Sequence, residues 1–421
     1  MWMQTVFRKR GESVMRTVEE AWAAIMGQVE PLPPEQVPLL QATGRVLAEA
    51  AYTDMDLPPF DNSAVDGYAV RAADTLGATP ERVCRLRTLE PVPAGAPALQ
   101  TVQRGTAARV MTGGPLPPGA DAMAMIEDTD ASEAGWVEIR AGAVPEQHVR
   151  RQGQEMRRGA RALNVGTVLR PAEIGMLATL GFATVPVYRQ ARVAVVTTGD
   201  EVVDIVAGAL PPPGHIRNSN RYMLAALVQE AGATLHSLTH VRDDLEATEA
   251  AFRTLSAPQT GADVILTAGG VSVGDRDFVK PALERLGRLD LWRVAMKPGK
   301  PLAFGRISDT LFFGLPGNPV SAGVTFELFV RPALWKMAGR IDLERPKIQA
   351  TLTHPLTHVP GRREYVRAVT RSEQGRFVAT PTGADQGSGI LSSLTAANSL
   401  LIVPTEAETL AAGAVVEVIL I

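Results

Sequence analysis

The chain runs to 421 residues, with 42 basic and 45 acidic side chains and 45% hydrophobic residues, which points to roughly two to four domains with ordinary cores. A net charge of −3 excludes a global field for nucleic acid or an anionic membrane surface, and leaves only a local basic pocket open. The single cysteine, Cys84, excludes an intrachain disulfide and a cysteine-based zinc site and fits a reducing cytoplasmic setting; no stretch reaches the roughly eighteen apolar residues of a membrane span.

Met1–Val14 carries Arg8, Lys9 and Arg10 with no apolar core behind them. It reads as a loose tail rather than a secretory signal, with Met15 as an alternative start. Thr17 followed by Glu20 predicts a capping box and a helix, and a second helical piece is expected over Pro38–Glu49, interrupted at Gly44. Leu57–Val70 packs two prolines, a glycine and the polar residues Asp61, Asn62, Ser63 and Asp66 into one stretch. It reads either as a structured linker or as a loop presenting those side chains. From Val83 to Ile139, short strand patterns alternate with Pro/Gly turns, the pattern of a small β domain. Within it lies a possible anion-contacting turn, Thr112-Gly113-Gly114. Pro171–Leu180 reads as a helix with proline in its first turn.

Ala191–Thr198 begins a run of alternating strands and helices, the signature of a doubly wound α/β sheet. Its strand ends in Asp200 and Glu201. Asn218 is expected to cap a helix through Ala231, stopped by Gly232. Leu235–Val241 is the next strand, and Asp243 or Asp244 caps the helix after it. Three turn sequences then follow three apolar runs: Thr267–Asp275 after Ala262–Ala268, Lys297–Pro301 after Leu289–Met296, and Leu315–Pro319 after Thr310–Leu315. Ligands of open α/β sheets sit where such loops leave the strands' carboxyl ends. Glycine lets backbone N–H groups approach an anion there. Any one of these could be an ordinary turn; three together, carrying lysines and aspartates, argue for a site. A long helix is expected over Val320–Met337, and five strand patterns to Ile421 predict a small terminal β barrel.

No Walker loop, G-x-G-x-x-G fingerprint or G-x-S-x-G elbow is present, so nucleotide-cofactor and hydrolase readings lose support. His236 and His240 fall in a strand pattern, where i,i+4 spacing does not make a zinc pair. Trp22, Trp136, Trp292 and Trp335 read as core or interface residues.

Six motifs together resemble one family. They are FDNSAVDGYAVR (Phe60–Arg71), RVMTGGPLPPGAD (Arg109–Asp121), TTGDE (Thr197–Glu201), AGGVSVGDRD (Ala268–Asp277), KPGKP (Lys297–Pro301) and GLPGNPVSA (Gly314–Ala322). Their identity and order are similar to the molybdopterin molybdenumtransferases of the MoeA and gephyrin E-domain type. The resemblance implies a homodimer of four-domain subunits. A discontinuous N-terminal domain (15–60 and 141–188) would carry an inserted β domain (61–140), followed by an α/β molybdopterin-binding domain (189–339) and a β barrel (340–421). It also implies a reaction in which adenylylated molybdopterin and molybdate give molybdenum cofactor and AMP, with Mg²⁺ required. By residue-to-residue match, Asp66, Glu201, Asp243, Asp277 and Lys297 are the implied catalytic residues. Thr112, Gly269, Gly270, Ser272, Arg293, Lys300, Pro316, Gly317, Asn318 and Pro319 are the implied substrate contacts. Glu201, Asp243, Asp277 and Glu155 are the implied metal ligands. Glu155 and Arg293 stand where aspartate and lysine are commoner, which changes reach and hydrogen-bond geometry while keeping charge.

The chemistry is consistent with these residue types. Phosphates and molybdate call for backbone N–H groups and cations, and Mg²⁺ takes one or two carboxylates beside phosphate oxygens. The sulfurs that bind molybdenum belong to the substrate, so a chain with one cysteine suffices. Two competing readings are a molybdopterin adenylyltransferase, which needs the α/β domain alone, and a gephyrin-like scaffold. The adenylyltransferase is also a possible partner. No nucleic-acid or membrane partner is expected, and the location is expected to be cytoplasmic.

Overall fold

The computed structural model of the chain describes residues 15–93, 95–258, 261–271, 277–383 and 385–421. These form two compact units: Glu49–Val165 with Arg170–Thr184, and a larger one made of the remaining described residues.

Helix α1 (Val18–Met26) belongs to the larger unit and starts at the expected capping box. Thr17 Oγ1 accepts from the Glu20 N–H, and the Glu20 carboxylate accepts from the Thr17 N–H. The helix expected over Pro38–Glu49 is absent. Pro34–Pro38 is extended and Leu39–Ala42 forms a 3₁₀ turn, and Gly44 then reverses the chain at φ 77°. Val46 and Leu47 bridge to Val168 and Val187. Long-range pairing, aided by a glycine that can adopt positive φ, overrides the local helical pattern.

The smaller unit is built on a six-stranded sheet. Its strands are β1 (Gly67–Val70), β2 (Cys84–Thr88), β3 (Thr106–Val110), β4 (Ala122–Met125), β5 (Thr129–Asp130) and β6 (Trp136–Ile139), in the order β4-β1-β3-β2-β6-β5. Tyr68, Val70, Leu86, Ala107, Val137 and Ile139 form its core. Helix α2 (Pro171–Thr179) carries proline in its first turn, as expected. Trp136 is 37% exposed rather than buried, with the Arg85 guanidinium 4.7 Å above its ring.

The larger unit holds the doubly wound sheet. Its elements run β7 (Arg192–Thr198), α3 (Ser219–Glu230), β8 (Thr234–Val241), α4 (Leu245–Leu255), β9 (Val264–Ala268), α5 (Val279–Leu286), β10 (Arg288–Trp292), β11 (Met296–Lys297), β12 (Ala303–Ile307) and β13 (Thr310–Leu315). The order is β8-β7-β9-β13-β12-β10, with β11 outside this sheet. The first four strands are parallel, and β12 is antiparallel to both β13 and β10. β10 therefore runs in the same direction as the parallel strands. Alternate side chains face opposite cores, as strand geometry requires. Val193, Val195 and Phe313 pack toward α1 and α3, whereas Ala194, Val196 and Phe312 pack toward α4 and α5.

The long helix expected over Val320–Met337 is three segments in continuity: α6 (Pro319–Thr325), a π turn (Phe326–Val330) and α7 (Arg331–Met337). Pro332 has no N–H to offer the ladder, and the Arg331 N–H reaches back five residues to Phe326 O. After α7 come β14 (Lys347–Leu352), β15 (Arg363–Glu373), β16 (Arg376–Pro381), β17 (Ser399–Val403) and β18 (Val415–Leu420). The ladder β15-β16-β14-β18-β17 returns to β15, which closes a barrel, and β11 adds to β15 in parallel.

Arg331 is fully enclosed, with its side chain 2% exposed. It donates to Glu327 through Nε at 2.7 Å and to Glu230 at 3.1 Å, between the rings of Phe326 and Trp335. Glu327 also accepts from Arg345 at 2.8 Å. Removing one partner of a buried pair strands the other, at a cost of about 3–5 kcal/mol. Glu327→Ala is therefore expected to lose that much stability in urea or thermal unfolding. Removing Glu344 from its exposed pair with Lys347 should cost about 0–1 kcal/mol. Equal losses for the two variants would contradict this view of Arg331.

Candidate active site

The carboxyl ends of β7, β8, β9, β10 and β13 lie along one edge of the sheet, and the loops that leave them line a cleft of about 990 Å³. Glycine shapes its floor. Gly269 and Gly270 have φ of 97° and 68°, a region that L side chains seldom enter. A Cβ on Gly269 would stand 2.8 Å from Thr198 Oγ1, and one on Gly270 would stand 2.5 Å from the Val279 side chain. The Gly269 N–H donates to Leu315 O, and a Cβ placed on Gly317 would stand 3.6 Å from Gly269 Cα, an ordinary contact. The first and third turn sequences thus meet backbone to backbone, and the need for glycine falls on Gly269 and Gly270, where a Cβ would run into Thr198 and Val279.

Glu201, Asp243 and Asp277 bring carboxylates into this cleft, and Lys297, Lys300 and Arg362 bring cations. Asp200 and Asp243 exchange long hydrogen bonds, each side chain accepting from the other's backbone N–H at 3.3–3.4 Å. This ties the β7 loop to the β8 loop. Two helix starts also face the cleft. Asn218 caps α3 by accepting from the Arg221 N–H, while its amide donates to Thr197 Oγ1 at 2.7 Å. Asn220 donates to Gly317 O at 2.6 Å, and Asn318 donates to Ser388 Oγ at 2.8 Å. Helix starts and exposed backbone N–H groups favour anions, and the carboxylates oppose them with negative charge. That mixture suits a polyanion that arrives with a cation.

Of the residues singled out in the sequence, Glu201, Asp243, Asp277, Gly269, Gly270, Lys297, Lys300, Pro316, Gly317, Asn318 and Pro319 all line this cleft. Ser272 lies outside the described residues, as does Asp275. Arg293 is not among the lining residues, and the run Leu289–Met296 is not one strand leading into Lys297. The strand stops at Trp292, Arg293 takes φ 79°, and Lys297 belongs to β11 in the barrel sheet. A residue at positive φ ends the strand's alternation there.

Asp66, Thr112 and Glu155 stand on the smaller unit. Asp66 Oδ1 accepts from the Thr112 N–H at 2.6 Å and from its hydroxyl at 2.8 Å. Those hydrogen bonds, the backbone one foremost, hold the Asp66 carboxyl below the ordinary carboxylate range. The rest of the Phe60–Val70 stretch is structural. Asp61 is engaged by Arg151 and the Gln152 N–H. Asn62 and Ser63 are buried. Glu155 is exposed on a turn.

The sequence reading passed over the barrel's contribution. Arg362, Gln386, Gly387 and Ser388 line the cleft from the barrel strands and loops. The stretch from Gly383 to Gly389, rich in Gly, Asp, Gln and Ser, carried a loop signal that marks such a site.

Residues 16–181 match the MoeA N-terminal region (domain I and II), residues 194–336 a probable molybdopterin binding domain, and residues 349–421 the MoeA C-terminal region (domain IV). "Molybdopterin molybdenumtransferase 2" of Mycobacterium tuberculosis is 40% identical over 410 residues, which is 96% of this chain and 99% of the relative. "Molybdopterin molybdenumtransferase" of Haemophilus influenzae is 35% identical over 96% of this chain and 98% of its own. Among solved structures, a molybdopterin biosynthesis moeA protein from Pyrococcus horikoshii OT3 superposes with a TM-score of 0.83 at 31% identity, covering 97% of this chain and all of that one.

The Asp66 contact predicts a titration. A carboxyl held below its usual value keeps its charge, and whatever that charge contributes to folding is present at neutral pH and lost as pH falls through the folded-state value. Thr112→Val removes the hydroxyl donor and keeps the backbone one, so Asp66 should titrate at a higher pH than in the wild type. A carboxyl ¹³C NMR titration reads this directly. An unmoved Asp66 curve would show that the side-chain hydrogen bond does not form in solution.

Proposed function

Because the chain belongs to the molybdopterin molybdenumtransferase family, we propose that it inserts molybdate into adenylylated molybdopterin, giving molybdenum cofactor and releasing AMP. The observation that carries this reading is the single cleft in which glycine turns, two helix starts, three carboxylates and two lysines converge. An adenylylated pterin presents a phosphoanhydride. The backbone N–H groups and Lys300 hold its oxygens, and Lys297 with Arg362 holds the incoming oxyanion. Positioning supplies much of the rate in such reactions, because the reacting groups are already pre-arranged.

Magnesium fits this donor set. Glu201, Asp243 and Asp277 offer hard oxygen donors on three loops of the cleft, with no thiolate beside them. Among the described residues, no three His, Cys, Asp or Glu side chains gather closely enough to hold an ion by themselves. An ion held here by one or two of these carboxylates would take its remaining ligands from substrate phosphates and water. When bound, Mg²⁺ supplies charge stabilisation at the phosphoryl oxygens.

Asp66, Thr112 and Glu155 act, in this proposal, from the partner subunit of a homodimer. The proposal also divides the chain into four domains: 15–60 with 141–188, then 61–140, 189–339 and 340–421. The three matched regions, which part between 181 and 194 and between 336 and 349, support the later boundaries. Among the described residues no helix is long and apolar enough to cross a membrane. The proposed setting is cytoplasmic, with the pterin handed over by a molybdopterin adenylyltransferase.

The activity test is AMP release from adenylylated molybdopterin on adding molybdate and Mg²⁺. The wild type should release AMP, and Asp277→Asn should lose at least about 90% of the rate with its fold intact, as expected for a group at the reacting phosphates. Turnover of Asp277→Asn at the wild-type rate would remove it from the mechanism. Sharing between subunits has its own test. Asp66→Asn and Asp277→Asn, each inactive alone, should recover roughly a quarter of wild-type activity after mixed refolding, because half the dimers then hold one intact site. No recovery would place both residues in the same subunit's site.

A further inference from the structure

Lys297 reaches the cleft from a strand that belongs to the barrel, and its ammonium is held from behind. Glu364 is the second residue of β15. It lies opposite Lys297 in the parallel ladder with β11 and opposite Val403 in the antiparallel ladder with β17, so its backbone is fixed on both edges. Its side chain is 6% exposed and uses both oxygens. Oε1 lies 2.7 Å from Lys297 Nζ, and Oε2 lies 2.7 Å from His358 Nδ1. The His358 side chain is 2% exposed, and its Nε2 is buried with no hydrogen-bond partner. The ring is therefore anchored through Nδ1 alone, and because a carboxylate only accepts, the hydrogen of that contact sits on Nδ1. The backbone N–H of His358 donates to Glu408 O, which fixes the ring's base as well.

We propose that Glu364 is a positioning residue for the insertion reaction: it fixes the Lys297 ammonium at the cleft wall, and His358 fixes Glu364. This rests on the reading of the cleft given above. A lysine amine is a flexible point charge that does not orient itself. One of its three N–H bonds spent on a rigid, buried carboxylate leaves the other two directed by that contact. Lys297 stands where such direction matters. It lines both the 990 Å³ cleft and an adjoining pocket of about 820 Å³ that Glu364 also lines. Glu364 also brings negative charge close to a site for anions, which lowers raw attraction. Its presence makes sense for geometry and not for affinity.

Two measurements on the full-length protein test this. The first is acylation of Lys297 by acetic anhydride, followed by mass spectrometry with Lys300 and Lys347 as internal references. Glu364→Gln should speed modification of Lys297 about threefold or more, since the amine is released from its partner, and leave the references unchanged. Unchanged Lys297 labelling would overturn the proposal. The second is a double-mutant cycle on AMP release at subsaturating molybdate. Glu364→Gln should lower the rate about tenfold in the wild-type background and less than about twofold in Lys297→Ala, because a residue acting through Lys297 has nothing left to act on. Equal fold losses in both backgrounds would assign Glu364 a merely structural role and sink the inference. Glu364→Asp keeps the charge and shortens the reach, and should repeat the pattern at smaller amplitude if Glu364→Gln fails to fold. A wild-type protein that releases no AMP would refute the proposed function itself. Additive losses on an active wild type refute only the role of Glu364.

Discussion

The close approach of two backbone turns, Gly269-Gly270 after β9 and Pro316-Gly317 after β13, is the constraint on which the rest of the site depends. β9 and β13 are adjacent parallel strands, so their loops leave side by side. The Gly269 N–H donates to Leu315 O across them at 3.1 Å, and a side chain on Gly269 would run into Thr198. Gly269, Gly270 and Gly317 then line the cleft without side chains, so the backbone there can lie close to an anion. The charged groups stand around it on neighbouring loops.

The second organising feature is the barrel's claim on the loop after β10. If β10 continued as one strand, Lys297 would stay with the α/β sheet. The turn to positive φ at Arg293 releases the chain, and Met296-Lys297 joins β15 instead. One functional loop is thereby held by two domains of the larger unit. The α/β sheet delivers it and the barrel fixes its end. The barrel also contributes Arg362 and Ser388 to the wall, so its role extends beyond stability. The enclosed Arg331, with its two glutamates, occupies the helix leading from one domain to the other, where a charge without partners would be costly.

These features differ in how far they can be read from sequence. The α/β order, the Thr17 and Asn218 caps, the terminal β barrel and the glycine turns were legible because each rests on local chemistry: a hydroxyl or amide three residues before the N–H it accepts from, or an apolar run ending in glycine. The break at Arg293 was not legible, because nothing local forbids a strand there and the pull comes from β15, some seventy residues away. The segment after Pro38 was misread for the same reason, since Val46 and Leu47 bridge to residues more than a hundred positions later. Glu364 and His358 carried no motif at all. Their pairing with Lys297 arises only when the barrel closes.

The central claim is that the cleft at the strands' carboxyl ends is where the oxyanion to be inserted binds. The most direct measurement is a crystal structure of the protein grown with tungstate as a heavy-atom stand-in for molybdate, with data collected at the tungsten absorption edge. The account predicts an anomalous peak inside the cleft, within contact of the loops that carry Gly269, Lys297 and Gly317. A single strong peak elsewhere on the chain, with none in the cleft at saturating tungstate, would contradict it.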